Sequence, residues 1–288
     1  MLMIPPLMWA GNAIVGRMIY DMIAPMTLNF LRWVLAGLLL LPFTYQVLRR
    51  QSPLWPHWKR YAMLAFLGVG CYNSLQYLAL QTSTPINVTL VASSNPVFML
   101  GIGALFFNQT IRKRQIIGAV LSIFGVLLVL SRGDLQALLQ VQLVVGDLFV
   151  LMATASWAGY SWLMKQTSEP AEVHNDWANF LMAQIALGLV WSGLFTAGEW
   201  AITDVHIQWG WPLAAALVYV SVGPAILAYR CWGLGVQQVG PNVAGFFANL
   251  TPLFAALLSV LALGELPAWY HMAAFGLIVG GIVVSSRT

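Results

Sequence analysis

Charge is the property that this sequence has least of. Asp, Glu, Lys and Arg together make up only 8% of its 288 residues, whereas about 25% is usual in soluble domains. Hydrophobic residues account for 60% of the chain, and the mean hydropathy is +0.78. A soluble fold of this length cannot enclose so much apolar surface. The composition therefore excludes a soluble protein and predicts an integral membrane protein.

Cysteine is nearly absent as well. Cys71 and Cys231 are too few for a disulfide framework, and neither has neighbours at metal-ligand spacing. The four histidines fall in predicted loops or at span ends, and no catalytic pair such as His/Asp or Ser/Lys shares a membrane face. The sequence also has no glycine-rich phosphate loop and no acidic cluster. We therefore expect no cofactor, no metal and no catalytic residues, which argues against an enzyme.

Acidic residues are missing from the interiors of the apolar runs. Asp147 begins one run, Glu265 ends another, and the other seven of the nine acids lie in loops or at run ends. Carriers driven by protons or sodium usually hold a carboxylate near the bilayer midplane. The sequence therefore favours passive or loosely coupled transport.

Long apolar runs, by contrast, fill most of the chain. Runs of about 20 residues, the length that crosses a bilayer as an α-helix, recur with short breaks that leave no room for a soluble domain. We predict an all-α integral membrane protein with ten transmembrane helices. The predicted spans are 3–20, 26–48, 61–81, 85–107, 115–131, 146–166, 177–197, 211–233, 240–263 and 268–286.

Lys and Arg are distributed unevenly around these spans. If the helices alternate in direction, nine of the thirteen cations lie on one face of the membrane, and the positive-inside rule assigns that face to the cytoplasm. We therefore expect a multi-pass protein of a bacterial inner membrane with both termini cytoplasmic, and no nucleic-acid partner. The nine cations are Arg49, Arg50, Lys59, Arg60, Arg112, Lys113, Arg114, Lys165 and Arg287.

The chain repeats itself. The segment WAGN at 9–12 recurs as WAGY at 157–160, and later matches hold a constant offset of 156 residues. We predict two five-helix units, 1–131 and 146–288, with 132–145 as the connecting segment. Five is odd, so the second unit enters the membrane from the opposite side, and such inverted repeats are typical of secondary transporters. The matched pairs at offset 156 are Pro85/Pro241, Pro96/Pro252, Gln109/Glu265 and Gly125/Gly281.

These features resemble the EamA family of the drug/metabolite transporter superfamily. The resemblance is carried by WAGN and WAGY, and by NLTPLFAALLSVLALGEL at 249–266. The counterpart SNPVFMLGIGALFFNQTI at 94–111 has Gln109 where the family usually has Glu. The resemblance implies export of amino acids or other metabolites. It also implies that helices 1, 3, 4, 6, 8 and 9 surround a central cavity.

Polar and aromatic residues lie on single faces of several predicted helices. Asn73, Gln76 and Tyr77 follow i, i+3, i+4 spacing, for example, and so share one face. Polar groups in a bilayer mark the substrate path, although a single Asn or Gln also serves to tie helices together. We predict a substrate site formed by Trp9, Asn12, Tyr72, Asn73, Gln76, Tyr77, Asn95, Trp157, Tyr160, Tyr229, Trp232, Phe246 and Asn249.

Proline and small residues interrupt the predicted helices. Pro96, Pro224 and Pro252 each remove a backbone hydrogen bond and are predicted to be kinks that serve as hinges or as ordinary packing bends. The small-residue faces Gly118-x-x-x-Ser122 and Gly276-x-x-x-Gly280 predict close helix packing, between the halves or between protomers of a weak homo-oligomer.

Cations within the spans restrict the substrate. Arg17, Arg32, Lys165 and Arg230 are too few, and too near the span ends, to bind a strongly polyanionic substrate. One of them could bind a substrate carboxylate, but snorkelling to the lipid headgroups is the role that we expect for each. We predict an exporter of small neutral or zwitterionic metabolites, foremost amino acids with apolar or aromatic side chains, that works by alternating access. The alternatives are export of other metabolites or drugs, and a passive channel or facilitator.

Overall fold

A computed structural model of the chain describes residues 1–83, 85–166, 176–204, 206–263 and 268–286. Regular structure in these ranges is helical throughout. Turns of 3-10 helix occur at Tyr45–Leu48 and Leu135–Gln140, and turns of π-helix at Phe66–Cys71 and Ser221–Leu227. The α-helices are α1 (Ile4–Met18), α2 (Pro25–Thr44), α3 (Trp58–Ala65), α4 (Tyr72–Thr82), α5 (Pro85–Ala92), α6 (Asn95–Phe107), α7 (Lys113–Leu130), α8 (Val145–Lys165), α9 (Trp177–Ile202), α10 (Trp211–Val220), α11 (Ala228–Ala248), α12 (Leu250–Leu263) and α13 (Trp269–Ser286).

The helices have the length and composition of membrane spans. Large apolar side chains such as Phe43, Leu105 and Phe106 are 74–80% exposed, as expected of a surface that faces lipid. These findings confirm the all-helical membrane class, while the count of ten spans stays a prediction. Among the described residues, seven stretches are long and apolar enough to cross a bilayer: Pro25–Leu48, Trp58–Thr82, Asn87–Phe107, Lys113–Leu130, Trp177–Ile202, Trp211–Ala248 and Trp269–Ser286.

Two predicted spans contain a break next to a proline, and a third has its proline within a π-helical turn. Helix α5 ends before Ser93 and α6 begins at Asn95, which places Pro96 in the first turn of α6. Helix α12 begins at Leu250, which places Pro252 in its first turn. Proline is tolerated in a first turn because the N–H that it lacks would have no partner there. Pro224 lies inside the second π-helical turn.

Helix α11 is also interrupted near its middle. Gly240 has φ 82° and ψ 160°, a conformation outside the helical region that glycine adopts at little cost. Pro241 follows directly and continues as helix. The long stretch Trp211–Ala248 therefore contains a backbone break at residue 240, where the sequence predicts that the span 240–263 begins.

The irregular turns recur at the offset of the sequence repeat. The two π-helical turns begin 155 residues apart (66 to 221) and end 156 apart (71 to 227). Ser93, at the break before α6, and Asn249, at the break before α12, are 156 residues apart (93 to 249), and Asn249 Nδ2 donates to the Ser93 carbonyl at 3.2 Å. Equivalent points of the two predicted units thus meet in space. The inverted relation between the units stays a prediction.

Helices α7 and α13 pack most closely where both carry glycine. A Cβ atom at Gly118 would lie 2.7 Å from the Gly281 carbonyl oxygen, and one at Gly281 would lie 2.6 Å from the Gly118 oxygen. Neither backbone can retreat without moving its helix. Gly276 and Gly280, which the sequence analysis paired as a packing face, have no atom within 4 Å of such a Cβ. Of these three glycines of α13, Gly281 is therefore the one that makes a close contact with α7.

Asp147 ties the start of α8 to the end of α4 and the start of α5. Its carboxylate is 4% exposed and accepts hydrogen bonds from Ser83 Oγ, from Asn87 Nδ2 at 3.0 Å, and from the Val144 backbone N–H at 2.8 Å. The last bond also satisfies a donor at the start of the helix, where negative charge is favourable. This contact fixes one end of the space between α4, α5 and α8.

Replacing Gly118 with Leu should destabilise the fold by about 3 kcal/mol or more, because the new side chain meets backbone that cannot yield. The matched control is Gly276→Leu, which adds the same side chain to the exposed face of α13. We expect the thermal unfolding midpoint of the detergent-solubilised protein to fall by several degrees for Gly118→Leu and to stay near wild type for Gly276→Leu. Equal midpoints for the two variants would refute the assigned contact.

Removing the Asp147 carboxylate should also lower stability, because Ser83, Asn87 and the Val144 N–H each donate to this charged, buried acceptor. A loss of about 2–4 kcal/mol follows from the removal of these charge-assisted hydrogen bonds. The control is Asp134→Ala, since Asp134 is exposed and its carboxylate accepts from the Gln136 N–H at 3.0 Å. Thermal unfolding of both variants is the measurement, and a loss for Asp147→Ala no larger than for the control would count against the contact.

Candidate substrate cavity

A cavity of about 130 Å³ lies between α1, α4, α5, α8 and the junction of α11 with α12. Eight of the thirteen predicted site residues line it. The lining is Trp9, Asn12, Ala13, Tyr72, Gln76, Tyr77, Leu80, Val88, Thr89, Ala92, Ser93, Asn95, Thr154, Trp157, Ala248, Asn249, Thr251 and Pro252.

Aromatic rings form one wall of the cavity. Trp9 and Trp157, the equivalent residues of the two predicted units, meet edge to face with ring centroids 5.1 Å apart. Tyr72 packs on Trp157 at 4.5 Å. Contacts of this kind stabilise the pair beyond the area that it buries. The recurring tryptophans are therefore brought into direct contact, and both face the same cavity.

Three other predicted aromatic residues lie behind this wall. Tyr160, Tyr229 and Trp232 each pack on Trp157, with ring centroids 5.0–5.3 Å away, and each is at most 4% exposed. They do not line the cavity. Their rings fill the space beyond Trp157 and so close that end of the cavity.

A hydrogen-bond network runs behind the lining and reaches Tyr229 behind the aromatic wall. Arg32 Nη1 donates to Asn73 Oδ1 at 2.9 Å and to the Tyr77 hydroxyl at 3.1 Å. The Tyr77 hydroxyl donates in turn to Asn12 Oδ1 at 3.0 Å, and Asn73 Nδ2 donates to the Tyr229 hydroxyl at 3.2 Å. The network joins α1, α2, α4 and α11. Asn73, a predicted site residue, belongs to it and does not line the cavity.

The position of Arg32 overturns one expectation. Snorkelling was predicted for this side chain, but Arg32 is fully buried, and its guanidinium lies 5.3 Å from the Trp33 ring. Arg32 is the eighth residue of α2, about 12 Å along the axis from the start of the helix. The side chain turns inward to Asn73 and Tyr77 instead. No pattern in the sequence indicated this, because a single Arg on an apolar helix gives no sign of the side on which it packs.

The amides at the helix breaks occupy two different environments. Asn249 Nδ2 donates to Ser122 Oγ at 2.9 Å as well as to the Ser93 carbonyl, so this side chain ties α7 to the two breaks. Asn95 Oδ1 is buried and has no hydrogen-bond partner. Both residues line the cavity, and Asn95 Oδ1 is a buried acceptor that has no partner among the described residues.

Phe246 lies apart from the other predicted residues. It is fully buried in a separate apolar cluster with residues of α7 and α13, and its ring is the third-nearest neighbour of a Cβ at Gly118, at 3.3 Å. The structure therefore places it in packing between helices. The spacing that grouped Phe246 with Asn249 put them on one helix face, but α11 ends at Ala248, between the two.

Several lining residues escaped the sequence analysis because they are small or weakly polar. Thr89, Ala92 and Ser93 lie on one face of the chain at i, i+3 and i+4, and Thr154 lies three residues before Trp157. A search for small residues on the same helix faces would have found them. Val88 and Thr251 carry no such signal. They line the cavity only because of how their helices are placed.

Unsatisfied polar groups identify the chemistry that the lining can offer. The indole N–H groups of Trp9 and Trp157 are buried donors without an acceptor, and Asn95 Oδ1 is a buried acceptor without a donor. Buried polar groups in a native fold usually have partners, so these atoms suit a bound molecule with both acceptors and donors. Among the described residues, no three His, Cys, Asp or Glu side chains come close enough to hold a metal ion.

Comparison with known proteins places the chain in a family. The sequence pattern of the EamA-like transporter family matches twice, at residues 1–131 and 144–287. A crystal structure of another protein, 19% identical, covers 98% of this chain and 94% of its own with a TM-score of 0.74, which shows a shared fold.

Relatives with names are transporters. The aromatic amino acid exporter YddG of Ancylobacter novellus is 25% identical over 241 residues, 83% of this chain and 78% of that protein. The uncharacterized inner membrane transporter YedA of Escherichia coli K12 is 24% identical and covers 96% of this chain and 87% of its own. The uncharacterized transporter YyaM of Bacillus subtilis is 23% identical and covers 86% of this chain and 79% of its own. The chain is a multi-pass membrane transporter and not an enzyme, and it belongs to the EamA-like transporter family.

Proposed function

We propose that this transporter exports small zwitterionic metabolites across the inner membrane, foremost amino acids with apolar or aromatic side chains. The observation that carries the proposal is a small cavity that combines aromatic rings with unpartnered polar groups. Trp9, Tyr72 and Trp157 supply ring surface for an apolar side chain. Asn95 Oδ1 supplies an acceptor for an ammonium group, and the indole N–H groups supply donors.

The size and charge of the cavity support the same class of substrate. A cavity of about 130 Å³ favours a molecule of amino-acid size over a large drug. Within the described lining no side chain carries a formal charge, so neither a polyphosphate nor a polycation has a counter-ion there. The related exporter named for aromatic amino acids supports the choice of side chain, at 25% identity.

Alternating access is the mechanism that we propose for export. In this scheme the chain is two inverted five-helix units, 1–131 and 146–288, with both termini cytoplasmic. The family pattern matches once in each unit, and the helix breaks recur at the repeat offset. Breaks just before Pro96 and Pro252, and a π-helical turn around Pro224, let these helices bend at less cost than regular helices, because the regular backbone hydrogen bonds are already interrupted there. These three prolines are the proposed hinges.

Substituting Asn95 with Leu should reduce transport of phenylalanine in proteoliposomes by about tenfold, because the free acceptor in the cavity is lost. The fold should tolerate the change, since Asn95 Oδ1 has no partner within the protein. The matched control is Asn242→Leu, because Asn242 Oδ1 is also buried and unpartnered but the residue does not line the cavity. Counterflow of labelled phenylalanine is the measurement, with size-exclusion profiles to check folding.

The same assay separates a carrier from a channel. A carrier gives saturable flux and counterflow, whereas an open channel gives flux that does not saturate. Unsaturable phenylalanine flux would contradict alternating access. No flux of phenylalanine or of any other apolar amino acid in the wild type would contradict the proposed substrate class.

A further inference from the structure

Arg32 is a buried cation that has no ionic partner among the residues that the structure describes. The guanidinium is fully buried in the bundle. Its partners are neutral: the Asn73 amide oxygen and the Tyr77 hydroxyl, both at Nη1. Placing a charge in such surroundings costs several kcal/mol unless an opposite charge is close. Ionisable residues inside a membrane are rare and usually mark a functional site.

Two nitrogen atoms of Arg32 have no hydrogen-bond partner among the described residues, and they lie on one edge of the guanidinium. Nε and Nη2 are both buried and lack a hydrogen-bond partner, while Nη1 makes both of the bonds described above. The N–H bonds of Nε and Nη2 run side by side in the plane of the group. This edge is a fork that matches the two oxygens of a carboxylate.

Arg32 is separated from the cavity by one side chain. Tyr77 lines the cavity, and its hydroxyl accepts from Arg32 Nη1 at 3.1 Å while donating to Asn12, which also lines the cavity. Asn73, the other neutral partner, sits between Arg32 and Tyr229 behind the aromatic wall. The positive charge therefore lies directly behind the lining of a cavity whose own side chains carry none.

We propose that the Nε–Nη2 edge of Arg32 binds the carboxylate of the transported molecule and makes the carrier selective for substrates that have one. The inference rests on the proposed function and identifies the residue that recognises the substrate's acidic group. In the described conformation the fork faces buried atoms, so binding requires the wall at Tyr77 to shift. The π-helical turn Phe66–Cys71 lies just before Tyr72 in the same span. It gives that wall a place to bend.

Three phenyl compounds test the site without relying on any variant. Phenylalanine has both charged groups, 3-phenylpropionate lacks the ammonium group, and phenethylamine lacks the carboxylate. We expect the wild-type protein, in chloride-free detergent buffer, to bind the two carboxylates roughly 10- to 100-fold more tightly than phenethylamine by titration calorimetry, the range of one charge-assisted contact. Equal affinities for all three would overturn the proposal.

Variants of Arg32 then assign the preference to the fork. Arg32→Gln should reduce the preference for carboxylates to less than about threefold, and Arg32→Lys should retain part of it, because a lysine keeps the charge but has no planar fork. The control is Arg230→Gln, because Arg230 is an exposed arginine of α11 that stacks over the Trp177 ring at 4.6 Å. This variant should bind the carboxylates more tightly than phenethylamine by the same factor as the wild type. If Arg32 has only a structural role, its replacement should weaken the binding of all three compounds alike. That result would also overturn the proposal. If Arg32→Gln does not fold, the test uses two measurements: the preference for carboxylates over phenethylamine in the wild type, and the part of that preference that Arg32→Lys retains.

Two outcomes separate this inference from the proposed function. Tight binding of 3-phenylpropionate with no counterflow of any amino acid would support the carboxylate site and refute amino-acid export. Amino-acid counterflow with no preference for carboxylates would support amino-acid export and refute the carboxylate site at Arg32. Stabilisation of the wild type by chloride alone, with no difference between 3-phenylpropionate and phenethylamine, would assign the fork to an inorganic anion and overturn the proposal.

Discussion

A bilayer offers no water to a buried polar group, so each such group must find its partner inside the protein or go without one. This constraint explains most of the polar contacts in the bundle. Asp147 gathers a serine, an amide and a backbone N–H around its carboxylate. Asn249 joins two helix breaks and α7. Because most polar groups are paired in this way, the few that are not become informative.

Several of the buried polar atoms that have no partner among the described residues lie at the cavity or just behind it. The indole N–H groups of Trp9 and Trp157 and the amide oxygen of Asn95 belong to its lining, and the free edge of Arg32 lies behind Tyr77. Each costs folding free energy in the absence of a ligand. A molecule with an apolar body and both charged groups of an amino acid would satisfy all of them, which links the energetics of the bundle to its proposed substrate.

Helix breaks supply the other half of the proposed mechanism. Alternating access needs helices that bend at fixed places, and the described chain has such places at the two π-helical turns and before α6 and α12. The contact of Asn249 with Ser93 brings two of these breaks together. In the proposed mechanism this contact would couple movement at the two breaks.

The sequence by itself determined the all-helical membrane class and the family, because these depend on composition and on motifs along one chain. The ten spans and the inverted repeat that it also indicates stay predictions. It also identified eight of the lining residues, since polar and aromatic side chains at helical spacing share a face. It did not place Phe246, Tyr160 or Arg32, because a helix face has many neighbours and spacing does not say which one it meets. Only the tertiary structure decided that Phe246 packs between α7 and α13, and that Tyr160 lies behind Trp157. It also decided that Arg32 turns inward to the network behind the cavity, since these outcomes depend on contacts between helices far apart in sequence.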